Sequence, residues 1–350
     1  MREVHFIVPE GIRDPARPSG GNTYDRKVGA GLAALGWTVI EHVGTADLAR
    51  IPDGAVVLLD GLIASPAAEV LVPEARRLCQ VALMHMPFGH AGERAVLEAA
   101  AAVVTTSAWT RRRLQELYGL PAGKLYVAEP GVDAAGLAPG SGGGGELLCV
   151  AAVTPHKGHD VLLDALATVT DLPWRCTCAG SLDRDPAFAH GILRRAGDRV
   201  RFTGPLGGAE LERAYAAADL LVLPARAESY GMVVTEALAH GVPVLAGDVG
   251  GVSEALGRGG RLVPPADPAA LGAALRAWLE DAELRARLRR AARERRAELR
   301  PWAATASDVA RALSAAMSAE DAAGAPARAG ADDAAGAPAR SAATSAEALA

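Results

Sequence analysis

The sequence predicts an α/β protein built from two doubly wound parallel sheets, and three observations support this fold class. Short apolar runs alternate with helical segments along most of the 350 residues. A glycine-rich stretch at residues 139–146 (PGSGGGGE) divides this alternation into two halves. Of all residues, 50% are hydrophobic, which is enough to bury two cores in a chain of this length.

Residues 1–138 are expected to form the first domain. Six apolar runs predict its strands, and helical spacing at Tyr24–Leu35 and Ala108–Tyr118 predicts two of the helices between them. The connections are short, which favours a parallel sheet with crossover helices. The predicted strands are Val4–Val8, Thr38–His42, Val56–Leu59, Val81–His85, Ala102–Thr105 and Leu125–Ala128.

Residues 139–146 have the composition of a flexible linker, and the alternation then restarts over residues 147–300. This second domain begins with a predicted strand at Leu147–Val153. Ligands of open α/β sheets bind beyond the carboxyl ends of the strands, so a site is expected in the crevice between the two domains. The five further predicted strands are WRCTCAG, RVRFTG, DLLVLP, PVLAG and GRLVPP.

The end of the chain contains three helical segments and a tail. A helix around Leu271–Leu279 precedes an arginine-dense helix (ELRARLRRAARERRAELR), and Pro301 and Trp302 separate the latter from a final helix at Ala304–Met317. A solvated face is the favoured interpretation of the arginines, and a weak peripheral contact with anionic lipids stays open. Residues 318–350 are rich in Ala, Gly and Pro and predict a disordered tail.

Composition excludes several classes of protein. A net charge of −5 argues against nucleic-acid binding. The chain opens directly on a strand and has no apolar run of membrane-spanning length, so we expect a cytoplasmic enzyme without a signal peptide. A peripheral location at the inner membrane face stays open. The oligomeric state stays open. The four cysteines lack zinc spacing and predict buried thiols: Cys79, Cys149, Cys176 and Cys178.

The most informative motif is a pair of glutamates separated by seven residues, Glu228 and Glu236. A buried strand at Leu220–Leu223 precedes them, and helical spacing begins at Gly231. Glu228 therefore lies just before a helix N-terminus, where unpaired N–H groups and the helix dipole suit an anion such as a diphosphate. Carboxylates that can accept hydrogen bonds from hydroxyls, beside a phosphate site, indicate a nucleotide sugar.

This segment resembles the Glu-x7-Glu signature of retaining glycosyltransferases of family 4, which have the GT-B fold of two Rossmann-like domains. The resemblance covers most of residues 1–316 and implies that helix 304–317 packs back on the first domain. It also implies that Glu236 holds the ribose hydroxyls and that Glu228 contacts the transferred sugar. The diphosphate would lie on the amides of Tyr230, Gly231, Met232 and Val233.

Lys157 follows the first strand of the second domain in the segment VTPHKGHD. Its ammonium can balance the charge of a diphosphate, and the segment resembles the strand–Lys-Gly segment with which the family contacts the donor phosphates. The family commonly has an arginine five residues earlier, where this chain has Ala152. Either Lys157 carries the charge alone, or Arg226 or another residue compensates.

The first domain supplies further candidates. Gly20, Gly21 and Asn22 form a loop before a helix, where glycines allow close approach of a ligand. His85 ends an apolar strand and points into the crevice; the family places a histidine comparably, near the sugar and the acceptor. Gly204 completes the expected donor-binding set. Weaker candidates are His90, His156 and His159, and the Asp183-Arg184-Asp185 segment is expected to be a surface turn rather than a metal site.

The resemblance implies a retaining, metal-independent hexosyltransferase without a cofactor, in which Glu228, His85 and Lys157 serve catalysis. Its donor would be a nucleotide sugar and its acceptor a small molecule, a glycan or a lipid; the sequence names neither the base, the sugar nor the acceptor. Three alternatives stay open. They are a GT-B epimerase, a sugar phosphorylase, and a catalytically silent protein that binds nucleotide sugars, for which Ala152 is the only support.

Overall fold

The computed structural model describes residues 2–14 and 18–322, with side chains described as far as Glu320. It contains the two expected parallel sheets, each of six strands. The first sheet has the order β2-β1-β3-β4-β5-β6. Its strands β1 to β6 are Arg2–Val8, Trp37–Val43, Val56–Asp60, Cys79–Met84, Ala102–Thr105 and Leu125–Val127.

Five helices connect these strands. The first, α1, begins at Gly20, four residues before the predicted Tyr24, because Ser19 accepts a hydrogen bond from the N–H of Asn22 and caps the helix there. Gly20, Gly21 and Asn22 therefore form its first turn and not a loop. The helices α1 to α5 are Gly20–Ala34, Gly61–Ala64, Ala68–Glu74, Ala91–Ala99 and Ala108–Tyr118.

The second sheet has the order β12-β11-β10-β7-β8-β9, so its first strand in the chain lies in the middle. Strands β7 to β12 are Glu146–Val150, Arg175–Ala179, Val200–Gly204, Leu220–Leu223, Val244–Gly247 and Gly260–Val263. From β7 the chain first adds strands on one side and then, from β10, on the other. The strand order therefore reverses between β7 and β10, which is where ligands bind in such sheets. Helices α6 to α12 are His159–Ala167, Pro186–Arg195, Gly208–Ala217, Met232–Ala239, Val252–Leu256, Pro268–Glu280 and Ala282–Arg296.

The last helix, α13 (Trp302–Ala322), returns to the first sheet. Its buried residues Val309, Ala312 and Leu313 share one core with residues of β1 and β3. The helix continues through Ala322, so it includes the first residues of the predicted tail; residues 323–350 lie outside the described part.

The chain therefore passes between the domains twice, and the two passages lie side by side. Val132, on the way out, forms a parallel bridge with Pro301, on the way back. Gly131 packs so closely on the second passage that a Cβ atom there would lie 2.4 Å from the backbone nitrogen of Trp302.

The glycine-rich segment at 139–146, expected to be a flexible linker, is hydrogen-bonded to the second domain. The buried carboxylate of Asp219 accepts the backbone N–H groups of Ser141 and Glu146 at 3.0 Å each. The indole N–H of Trp278 donates to the carbonyl oxygen of Gly144 at 2.7 Å. Glycine is needed at two positions of this segment: a Cβ atom on Gly144 would lie 2.4 Å from Cδ of Arg285, and one on Gly145 would lie 2.8 Å from the carbonyl oxygen of Pro173.

Several arginines of α12 have structural partners. Arg289 pairs with Asp219 at 2.9 Å, and Arg285 donates to the carbonyl oxygen of Trp278. Arg296 donates to the carbonyl oxygens of Ala239 and Ala135. The contacts of Arg289 and Arg285 hold α12 on its own domain, and Arg296 also binds the chain that leads out of the first domain. Among the described residues, no helix combines the length and the apolar character needed to cross a membrane.

Candidate active site

A cleft of about 280 Å³ lies between the domains, at the carboxyl ends of both sheets, and residues of both domains line it. The N-termini of α1 and α9 meet there: a Cβ atom on Gly20 would lie 3.6 Å from the sulfur of Met232. Both helix ends present N–H groups and positive dipole ends to the same space. The cleft is therefore suited to an anionic ligand.

Glu228 lies in the loop between β10 and α9, as the sequence predicts. Its Oε2 accepts a hydrogen bond from the ammonium of Lys157 at 2.8 Å, and its Oε1 from the N–H of Ser229 at 3.2 Å. Burial raises the pKa of Glu228, but Lys157 and these hydrogen bonds together hold it below its ordinary value. The carboxylate is thus ionised and fixed at the wall of the cleft.

Glu236 lies within α9 and also lines the cleft. The hydroxyl of Tyr215 donates to its Oε2 at 2.7 Å, and the Tyr215 ring stacks on His240 at 5.1 Å. Burial raises the pKa of Glu236 above its ordinary value, although the Tyr215 hydrogen bond opposes this shift. One carboxylate oxygen is held by Tyr215, and the other can accept hydrogen bonds from a ligand.

Two glycines after β11 determine where the Glu228 loop can lie. Gly250 has a φ of +56°, and a Cβ atom there would lie 1.5 Å from the carbonyl oxygen of Glu228. A Cβ atom on Gly251 would lie 2.3 Å from the carbonyl oxygen of Ser229. The same carbonyl accepts a hydrogen bond from the hydroxyl of Ser107 in the first domain, at 2.9 Å. The loop is therefore packed on both sides.

Lys157 ends a short 3-10 turn, Pro155–Lys157, and Gly158 follows with a φ of +73°. Arg226 binds Asp160 with both guanidinium NH2 groups, at 2.7 and 2.6 Å, and donates to the carbonyl oxygen of Pro155. Arg226 thus holds the Lys157 turn against the Glu228 loop and does not line the cleft, whereas Ala152 does. The proposed compensation by Arg226 is therefore not a direct contact; Lys157 is the only Lys or Arg among the described residues that line the cleft.

His85 follows β4 and lines the cleft from the first domain. Its Nε2 lies 2.9 Å from Asp25 Oδ1, on α1, and 3.2 Å from Asp60 Oδ2, at the end of β3. Burial lowers the pKa of His85, but the two carboxylates outweigh it and raise the pKa to about 10. Burial and the charge of Asp60 raise the pKa of Asp25 to about 8. The cluster thus retains protons at neutral pH.

Three residues of the site, Asp25, Asp60 and Tyr215, were not predicted from the sequence. Asp60 follows the apolar run VVLL, and an acid at the end of a buried strand was a usable signal. Asp25 and Tyr215 lie within ordinary helical patterns, where their contacts depend on tertiary packing.

Some predicted residues lie elsewhere. Of the candidates, Asn22 and Gly204 do not line the cleft: Asn22 is held in the first turn of α1, and the Gly204 carbonyl accepts the N–H of Gly180. His90 caps α4 through the N–H of Glu93, and Asp185 caps α7 through the N–H of Phe188, which agrees with a turn at 183–185. Two weaker candidates have other partners: His156 lies beside Thr154 in its own turn, and buried His159 lies beside Cys149 of β7.

Two groups of side chains have the atom types and spacing to surround a metal ion, each with its ligand atoms within 4.8 Å of one another. One is Asp25, Asp60 and His85, whose atoms hydrogen-bond to each other. The other is Cys149, Cys178 and His159 in the second core, with 3.8 Å between Cys149 Sγ and His159 Nε2. Contacts within each group explain both arrangements without an ion. All four cysteines are buried thiols, as predicted.

Comparison with known proteins identifies relatives of this chain. Residues 141–295 match the profile of the family described as Glycosyl transferases group 1. A D-inositol 3-phosphate glycosyltransferase of Jonesia denitrificans is 34% identical over 245 residues, which are 62% of this chain and 58% of the relative. The Streptomyces avermitilis protein of the same name is 31% identical over 317 residues, which are 81% and 63%. The chain thus spans less than two thirds of the length of these curated relatives.

Solved structures share the fold. The structure of Anabaena HepE in complex with UDP-glucose is 18% identical and superposes with a TM-score of 0.74, covering 90% of this chain and 100% of that one. The sucrose-phosphate synthase of Thermosynechococcus elongatus is 21% identical, with a TM-score of 0.73 and coverage of 91% and 100%. At these identities the similarity establishes the two-domain architecture alone.

Proposed function

Because the chain belongs to the group 1 glycosyl transferases of family 4, with the GT-B fold, we propose that it transfers a hexosyl group from a nucleotide-diphosphate sugar to an acceptor hydroxyl. The transfer proceeds with retention of the anomeric configuration and without a metal ion. The acceptor is a small molecule, a glycan or a lipid. The names of the curated relatives include an inositol phosphate, and that of the Anabaena structure includes UDP-glucose, which supports this class of reaction.

One observation carries the proposal: Glu228, Glu236 and Lys157 lie together at the N-terminus of α9, in a cleft that both domains line. Glu236 accepts hydrogen bonds from two ribose hydroxyls through the oxygen that Tyr215 does not hold. The diphosphate lies between the amides from Tyr230 to Val233 and the Lys157 ammonium. On donor binding, Lys157 exchanges part of its contact with Glu228 for the phosphate, and Glu228 turns to a hydroxyl of the sugar.

Catalysis in such a site is electrostatic. As the glycosidic bond lengthens, negative charge grows on the departing phosphate, where Lys157 and the helix amides lie. The acceptor hydroxyl attacks from the face that the leaving group occupies, and the leaving phosphate takes its proton. Glu228 orients the sugar and forms no covalent bond with it; a trapped adduct on Glu228 would contradict this assignment.

A thermal-shift screen of UDP-, GDP-, ADP- and TDP-sugars in chelator tests the donor site. A ligand at a hundred times its Kd adds about 2.7 kcal/mol to the free energy of unfolding, which shifts the melting temperature measurably. We expect a shift with one donor, and its loss in Glu236→Ala. If no donor shifts the melting temperature of the wild type, the site does not bind a nucleotide sugar. The same screen with Ala152→Arg then tests whether the missing arginine accounts for the lack of binding.

NMR of the product then tests the reaction. Transfer with retention gives a new glycoside with the anomeric configuration of the donor, in the presence of chelator. An inverted product contradicts the retaining mechanism. A changed sugar without acceptor indicates an epimerase, and a requirement for free phosphate indicates a phosphorylase.

A further inference from the structure

His85 is the one proposed catalytic residue that the first domain supplies, and it is held from behind by two acids. Asp25 and Asp60 come from different elements, α1 and the end of β3, and are each 1% exposed. Both approach the same ring nitrogen, Nε2. The arrangement therefore fixes which nitrogen of His85 points inward and carries a proton.

Two buried acids are more than is needed to orient an imidazole ring. Burial of an ionised carboxylate is unfavourable unless it is paired, and a single carbonyl oxygen could orient the ring equally well. Asp60 Oδ1 accepts the N–H of Leu62 at 2.6 Å, whereas Asp25 Oδ2 is buried with no hydrogen-bond partner among the described residues. Asp60 is a carboxylate at neutral pH, whereas Asp25 ionises only near its raised pKa of about 8. Above that pH both acids are charged, and together they favour a second proton on the ring.

The surroundings of the ring agree with a charged role. The Tyr24 ring packs edge-on against His85 at 5.1 Å between centroids, and burial keeps the pKa of its hydroxyl well above the ordinary value, so Tyr24 stays neutral. A Cβ atom on Gly21 would lie 3.4 Å from Cδ2 of the ring. The nitrogen that these groups do not occupy is Nδ1.

We propose that Asp25 and Asp60 are positioning residues that hold His85 as an imidazolium, with Nε2–H donating to Asp25 Oδ1 and Asp60 Oδ2 and with Nδ1–H available to an oxygen of the acceptor. This inference rests on the proposed transferase function and extends it to the acceptor side of the cleft. An imidazolium donates a hydrogen bond and cannot remove a proton. His85 therefore orients the acceptor, and proton removal is left to the departing phosphate.

The first test measures the ring itself and needs no substrate. Histidine NMR with labelled imidazole nitrogens follows the protonation of His85 across pH in the full chain. We expect the wild-type ring to stay doubly protonated through neutral pH, and Asp25→Asn and Asp60→Asn each to lower its titration midpoint by at least one pH unit. The matched control is Asp219→Asn, which changes another buried aspartate, one that faces Arg289 outside the cleft. An unchanged midpoint in both cleft variants overturns the proposal.

The second test uses turnover, measured as transfer or, before an acceptor is known, as release of sugar from the donor to water. We expect the two variants to lower kcat at least tenfold with an unchanged donor KM. We also expect the alkaline limit, the pH above which kcat falls as His85 loses its proton, to move to lower pH. His85→Gln should remove that limit altogether. If the variants have a lower melting temperature but the kcat and the pH profile of the wild type, the role of the two aspartates is structural and the proposal fails. Failure of the wild type to bind any nucleotide sugar would contradict the transferase function instead, while the NMR result would still decide the state of His85.

Discussion

The two glutamates of the motif share a cleft, but their environments shift their pKa values in opposite directions. Glu228 lies beside the Lys157 ammonium, which keeps it ionised. Glu236 lies in α9 with a neutral tyrosine as its partner, and burial dominates its pKa. Sequence spacing predicts that both residues reach the cleft; it does not predict their partners, because Tyr215 is in another helix.

Glu236→Gln is expected to weaken donor binding by roughly 10- to 100-fold, because hydrogen bonds to a charged acceptor contribute about 1.5–3 kcal/mol. The pKa of Glu236 is raised, so this carboxyl takes up a proton at a higher pH than a free glutamate. Wild-type affinity should therefore fall as the pH decreases through that pKa, and the variant should be insensitive to pH in the same range. Calorimetric titration at several pH values measures both. Glu283→Gln, at an exposed residue in the first turn of α12, is the control that should retain the wild-type pH dependence.

Lys157→Met is expected to lower donor affinity at least tenfold, because it removes the contact that we propose for the diphosphate, a charge-assisted one of roughly 1.5 kcal/mol or more. The defect should be larger at low ionic strength, where the wild-type contact is least screened. Lys124→Met, which removes a contact with the carbonyl oxygen of Glu98 outside the cleft, is the matched control and should bind the donor normally. Equal affinities of the two variants would show that the diphosphate does not lie at Lys157.

At the scale of elements, the β10–α9 loop depends on glycines elsewhere in the chain. Gly250→Ala is expected to displace the Glu228 backbone and to reduce turnover by about 100-fold, since a shift of about 1 Å in a positioned group can cost this much. Gly36→Ala is the control: Gly36 has a φ of +84°, so the substitution is similarly strained, but a Cβ atom there meets nothing within 4 Å. Both variants should lose some thermal stability, and only Gly250→Ala should lose activity in a steady-state assay.

Most elements were predictable because their patterns are local. Apolar runs between short turns located the strands, and the strand–loop–helix order located Glu228 and Lys157. The start of α1 was misplaced because the sequence argument gave Gly20 and Gly21 to a turn and overlooked the Ser19 cap. The cluster of His85 with Asp25 and Asp60 was beyond prediction from local pattern, since it depends on the packing of α1 against the ends of β3 and β4.

At the scale of the whole molecule, α13 makes the first domain depend on residues nearly 300 positions from β1. Leu313→Ala is expected to reduce the free energy of unfolding by about 2–5 kcal/mol, the usual cost of removing a fully buried leucine side chain. Urea unfolding followed by circular dichroism measures this change. Leu35→Ala, at a leucine that is 50% exposed, should have little effect. A wild-type stability in Leu313→Ala would mean that α13 contributes little to the first core.

The paired passages between the domains have a mechanical consequence. A single tether would allow one domain to twist, slide and tilt freely relative to the other. Two adjacent tethers, bridged at Val132 and Pro301, leave rotation about the line through them as the easiest motion. Opening about this line is therefore expected to follow one path, so that closure brings Gly20 back opposite Met232, the arrangement seen in the structure. The paired connections are thus expected to align the two halves of the site by themselves, without a ligand to guide them.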